Sequence, residues 1–186
     1  MLGAYLAERF RPRTFIPLAV IIAGASSGGA FPSAHLAVDA AFALLLLAQF
    51  RSWDDLADRG RDAVSHSERV LVRAPSIAPI VAWSGALAVL NICLAVQRDA
   101  SGVAVAVLVA LIGALGAWYA RRTIRTAVGD HLLLSKYPAM VIVVAGERVL
   151  HAPLQILCAA LALHLAACLY EVWHDPASPL SIGGHR

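Results

Sequence analysis

"AAFALLLLAQFRSWDDLADRGRD", Ala40 to Asp62, runs without a break from an apolar stretch into a densely acidic one. Its first half is almost wholly hydrocarbon, and its second half puts Asp54, Asp55, Asp58 and Asp62 into nine consecutive residues. An apolar run of this kind hides either in a protein core or in lipid, and composition decides between them. Hydrophobic residues make up 60% of the chain and mean hydropathy is +0.72, against roughly 45–50% apolar content in a soluble domain. The chain therefore reads as an integral membrane protein.

Working outward from this stretch, six apolar segments stand out, at about 14–30, 33–51, 76–97, 101–120, 131–146 and 151–173. Each approaches the roughly 20 residues a helix needs to cross the hydrocarbon, and the shorter ones require tilt or local thinning. "SSGGAFPS" (26–33), "QRDASG" (97–102) and "GERVLHAP" (146–153) punctuate them, because Gly and Pro end helices. The expectation is a single all-α domain over 1–186, a bundle of about six transmembrane helices. The segments are continuously apolar rather than alternating, which excludes a transmembrane barrel. No small-residue cleavage site follows the N-terminal basic segment, so the first apolar run is expected to be retained.

Charge gives the expected topology. With the N-terminus in the cytoplasm, the inner segments hold Arg9, Arg11, Arg13, Arg51, Arg59, Arg61, Arg69, Arg73, Arg121, Arg122, Arg125 and Arg186, and the outer turns only Arg98 and Arg148. This is the positive-inside bias, and it puts both termini and the acidic stretch in the cytoplasm of an inner-membrane, multi-pass protein. The net charge of +3 and pI near 9.0 are thereby explained by topology, and no nucleic-acid partner is expected.

If the acidic stretch continues the second helix, Asp54, Asp58 and Asp62 step round by about 40° each, with Asp55 just beyond them. Like charges at i,i+4 destabilise a helix by about 0.2–0.5 kcal/mol per pair. A hard cation removes that cost, and Mg²⁺ is commonly held by one or two carboxylates plus substrate phosphates. The bland alternative is a solvated face partly neutralised by Arg51, Arg59 and Arg61. A second acidic pair favours the site: "EVWHD" ends the sixth segment, with Glu171 and Asp175 on one helical face and on the same side of the membrane.

At these residues the chain resembles the UbiA superfamily of intramembrane prenyltransferases. "DDLADRGRD" (54–62) fits the acidic positions of the family's first motif, "HSERVL" (66–71) is similar to the segment that follows it, and "EVWHD" (171–175) loosely matches the second motif, with Glu for Asp. The chain has about six of the nine helices typical of the family. The resemblance implies a Mg²⁺-dependent enzyme that ionises an isoprenyl diphosphate and passes the prenyl group to an aromatic, quinone-precursor or lipid acceptor. It implies metal ligation by Asp54, Asp55, Asp58, Asp62, Glu171 and Asp175, with Asp58, Asp62 and Lys136 catalytic. Arg69, Lys136 and Arg122 would contact the diphosphate, and Arg125 lies within reach of it. A shortened member is expected to act within membrane lipid and to complete its cavity by self-association.

Two other functions stay open: a UbiA-type intramembrane terpene cyclase, and a non-catalytic membrane subunit that retains the acidic motif. A CDP-alcohol phosphotransferase is disfavoured, because "DDLADRGRD" lacks the DGxxAR order. Lys136 is the only lysine of the chain, and a basic group within an apolar segment is a functional candidate; snorkelling is its competing role. His35 and Asp39 are expected to pair structurally. Cys93, Cys158 and Cys168 are read as buried small hydrophobes, and His164 as a hydrogen-bonded histidine rather than a ligand.

Overall fold

A computed structural model describes residues 1–29, 35–122, 124–175 and 178–181. The described residues form ten helices: α1 (Leu2–Arg9), α2 (Pro12–Ala25), α3 (Leu36–Ser65), α4 (Val70–Arg73), α5 (Ala78–Arg98), α6 (Val103–Arg121), α7 (Ala127–Leu134), α8 (Lys136–Ala145), α9 (Arg148–His151) and α10 (Pro153–His174). No strand occurs among them. Four helices, together with α7 and α8 taken as one span over Ala127–Ala145, are long and apolar enough to cross a membrane. A multi-pass helical bundle is thus present, with five such spans rather than the six expected. The first expected segment, 14–30, corresponds to α2, whose 14 residues reach about 21 Å, short of the roughly 30 Å hydrocarbon core. The turn assigned to 26–33 lies outside the described residues from 30 onward, as does Arg186.

The opening stretch is one uninterrupted helix. At 30 residues, α3 is about 45 Å long, so its acidic third extends past the thickness that its apolar part spans. It sits centrally, packed on α2 and α5, while α8 packs on α6 and α10. Leu46, Phe50, Leu108, Leu115, Met140 and Ile156 meet in the main core. A smaller cluster of Tyr5, Leu71 and Ile80 docks α1 and α4 at the acidic end. Within the bundle, Asn91 Nδ2 donates to Gln49 Oε1 at 2.7 Å and to the Leu45 carbonyl at 3.2 Å, tying α5 to α3 as polar side chains do between membrane helices.

The fifth span begins earlier than expected, at Ala127, and is broken at Ser135. Pro138 supplies the reason: it has no N–H for the Leu134 carbonyl and its ring crowds that turn. Lys136 therefore lies at a helix break rather than mid-helix. "GERVLHAP" holds the short helix α9, which composition gave no reason to expect. Gly146 ends α8 at φ 55°, and a Cβ there would stand 3.1 Å from Asp99 Cβ. Asp99 in turn accepts from Ala104 N at 2.6 Å and Ser101 N at 3.0 Å, closing the turn into α6. Burial alone would raise its pKa, but these bonds and the Ser101 hydroxyl hold it below the usual carboxylate value.

Asp39 is fully buried at the opposite end of α3 from the cluster. It accepts from both Arg98 and, at 2.8 Å, Arg148. The two arginines that break the charge bias are thus held by one carboxylate. The cysteine expectation is corrected: Cys93 and Cys158 are exposed on the bundle's outer surface and Cys168 is half-buried.

Gly129 is packed against the Trp118 ring, and a Cβ there would fall 2.0 Å from Trp118 Cζ2. Gly129→Ala is expected to cost about 1–3 kcal/mol by forcing α6 and α7 apart. Chemical unfolding in detergent measures it, and a change below a few tenths of a kcal/mol would contradict the packing.

Candidate functional site

The four clustered aspartates of α3, Asp54, Asp55, Asp58 and Asp62, line one cavity of about 860 Å³, together with Glu171 and Asp175 from the end of α10. Lys136, Arg69 and Arg122 line it too, so the nine residues singled out from the sequence share one site. The continuity of α3 carries its acids to one end of the bundle. The break at Ser135 presents Lys136 there, and the antiparallel course of α10 brings Glu171 to the same end. Phe15, Leu18, Leu47, Phe50, Leu134 and Met140 supply an apolar side to the same cavity.

Each acid meets a cation of the chain itself. Asp54 accepts from Lys136 and from the Tyr119 hydroxyl. Asp55 is gripped by Arg9, with Nε at 2.9 Å and Nη2 at 2.5 Å, and receives Tyr5 OH at 2.9 Å. Asp58 accepts from Arg122 at 2.6 Å and lies 3.6 Å from Arg61. Arg69 stands 2.5 Å from Asp62. The like-charge repulsion that the sequence placed on this helix is therefore relieved by arginine and lysine in the structure. A cation-binding role does not follow from that repulsion alone.

The second acidic motif converges on Arg125, which donates to Glu171 and Asp175 at 2.5 Å each and to Asp130 at 3.0 Å. Burial would lower the Arg125 pKa, but the bonds from Asp130 and Asp175 win and hold it above the ordinary guanidinium value. One guanidinium thus fastens α10 to the start of α7. Arg125→Lys offers a single ammonium for three carboxylates. We expect faster amide exchange over the last turn of α10 in that variant, read by hydrogen–deuterium exchange, with α5 unchanged. Equal exchange in both proteins would contradict the Arg125 clasp.

Sequence reasoning missed Tyr5 and Arg9, because nothing in "MLGAYLAERF" indicates that α1 folds back onto Asp55. It also missed Tyr119 and Asp130, which reach the site only through the packing of α6 and α7. Arg69 and Arg122, expected to meet a diphosphate, each hold an acid of α3, Asp62 and Asp58.

The donor set is suited to a hard cation, since it consists of carboxylate oxygens. Among the described residues, no three of these acids bring oxygens within 4.8 Å of one another. A divalent ion would therefore be held by one or two carboxylates together with phosphate oxygens of a ligand, which is the usual Mg²⁺ arrangement. Among the described residues, eight carboxylates and eight Arg or Lys side chains line the cavity, so their formal charges balance. An anionic ligand accompanied by its own divalent cations would leave that balance nearly undisturbed. Compared with family models, curated proteins and solved structures, the chain matches none.

Proposed function

We propose that this protein is a compact UbiA-type prenyltransferase, taking an isoprenyl diphosphate with Mg²⁺ and passing its prenyl group to an aromatic, quinone-precursor or lipid acceptor. One observation carries the reading: both acidic motifs, Lys136, Arg69 and Arg122 line a single cavity with an apolar side. The charged end suits a diphosphate and the apolar side suits its hydrocarbon chain. Asp54, Asp55, Asp58, Asp62, Glu171 and Asp175 are the residues that would hold Mg²⁺. When bound, Mg²⁺ neutralises charge on the departing diphosphate.

The chain's own residues have definite tasks in this reading. With a donor bound, Lys136, Arg69 and Arg122 would each exchange a carboxylate for a phosphate oxygen, leaving Asp54, Asp62 and Asp58 available to hold the divalent ion. The apolar wall excludes water from the allylic cation until the acceptor takes it. Arginines crowd the cavity end of the bundle, and the positive-inside bias then makes that end cytoplasmic.

A second reading, a non-catalytic membrane subunit, is favoured by the pairing of every α3 aspartate with a cation. Calorimetric titration of farnesyl diphosphate into the protein in nanodiscs, with and without Mg²⁺, tests the site. The transferase reading expects saturable binding that Mg²⁺ strengthens at least about tenfold, or about 1.4 kcal/mol. Binding indifferent to Mg²⁺ would sink it, and no binding would leave the subunit reading.

A further inference from the structure

Beside the acidic cavity but outside its lining, α7 and α10 meet at three side chains that none of the preceding chemistry uses. His131, His164 and Cys168 each offer one ligand atom, and these three atoms lie within 4.8 Å of one another. Cys168 Sγ is 3.7 Å from His131 Nδ1 and 3.6 Å from His164 Nε2. His164, expected as a hydrogen-bonded histidine, contacts Cys168 one turn along α10, and His131 faces both from α7. The spacing His164–Cys168 is i,i+4, which puts both on one helical face. The cysteines were read as apolar fillers, so that spacing was passed over.

The two sulfur-to-nitrogen distances match those of a tetrahedral metal site. Zn–S near 2.3 Å and Zn–N near 2.0–2.1 Å, at the tetrahedral angle, place ligand S and N about 3.5–3.6 Å apart. Nitrogen and sulfur donors select a borderline ion and disfavour the hard Mg²⁺ of the acidic cavity. Polar groups within an apolar span are costly unless they serve a partner or a ligand.

We propose that His131, His164 and Cys168 bind one Zn²⁺ ion between α7 and α10, with the fourth position left to water or another ligand. The ion would pin the two helices that Arg125 also fastens. His131 directly follows Asp130, and Cys168 precedes Glu171 by one turn, so the pin lies beside the second acidic motif.

The test uses the full chain, chelator-stripped in nanodiscs. Titration with Zn²⁺ and with Co²⁺ as a spectroscopic substitute is expected to give one ion per chain and a thiolate-to-cobalt charge-transfer band. Cys168→Ser abolishes the band, and His131→Ala abolishes stoichiometric binding. In the unaltered protein, Zn²⁺ is expected to shield Cys168 from alkylation while Cys93 and Cys158 react as before, a result that depends on no variant folding. Zn²⁺ is also expected to raise the melting temperature of the unaltered protein but not of Cys168→Ser. No binding by the unaltered protein, a cobalt band that persists in Cys168→Ser, or equal alkylation of Cys168 with and without Zn²⁺ would each overturn the site.

Discussion

Asp58→Ala is expected to lower Mg²⁺-dependent pyrophosphate release from an isoprenyl diphosphate by about 100-fold or more, the scale seen when one preorganised electrostatic contact is removed from an active site. Asp58 is the informative position because it faces the cavity and holds Arg122 at 2.6 Å. Removing it deletes a proposed metal ligand and frees a buried guanidinium at once. Asp58→Asn separates these effects, since the amide oxygen still accepts from Arg122 but carries no charge. Comparable losses in both variants assign the role to charge, and the donor titration shows whether the pocket survives. If both variants release pyrophosphate at the rate of the unaltered protein, Asp58 has no part in the chemistry.

The second large effect lies at the other end of α3. Asp39→Ala is expected to destabilise the fold by about 3–5 kcal/mol, because removing one partner of a buried ion pair leaves its charge uncompensated. Here two arginines, Arg98 and Arg148, lose the same partner. Asp39→Leu combined with Arg98→Gln and Arg148→Gln is expected to recover most of the loss, since a buried ion cluster replaced as a whole is often nearly neutral. Unfolding of all three proteins in one detergent measures it. A loss below about 1 kcal/mol for Asp39→Ala would show that water reaches those guanidiniums.

The two ends of α3 also show how far a single sequence reaches. Periodicity placed Asp54, Asp58 and Asp62 on one face, and the charge bias put Glu171 and Asp175 at the same end of the bundle. Both inferences rest on local rules, helical geometry within one segment and alternation between segments, and the cavity gathers those residues as the rules require. What the sequence hid is nonlocal. Arg9 and Tyr5 reach Asp55 across 46 and 50 residues, and only the folding-back of α1 brings them there. Arg148 reaches Asp39 across 109 residues. Pairings of this kind leave no trace in spacing, and for that reason an acidic array that looked uncompensated is compensated throughout.

Among the described residues, five spans rather than six are long enough to cross, for a related reason. Residues 14–30 are apolar enough for a crossing, but helix α2 ends at Ala25, where Ser26 and Ser27 turn their hydroxyls back onto the Ala23 and Gly24 carbonyls at 2.8 Å and 2.7 Å. Hydropathy sees the apolar run and not this competition from serine side chains for the backbone acceptors. Likewise His164 looked solitary because its second partner, His131, belongs to another helix.

Whether the paired acids form a working site or a static clasp is decided by turnover. The direct measurement is pyrophosphate release by the purified protein in lipid nanodiscs, supplied with geranyl, farnesyl and longer isoprenyl diphosphates, with Mg²⁺ and with Mg²⁺ removed by chelation. The account predicts release from at least one donor, abolished by chelation and restored by added Mg²⁺. Absence of release from every donor by a protein that still binds farnesyl diphosphate would contradict it.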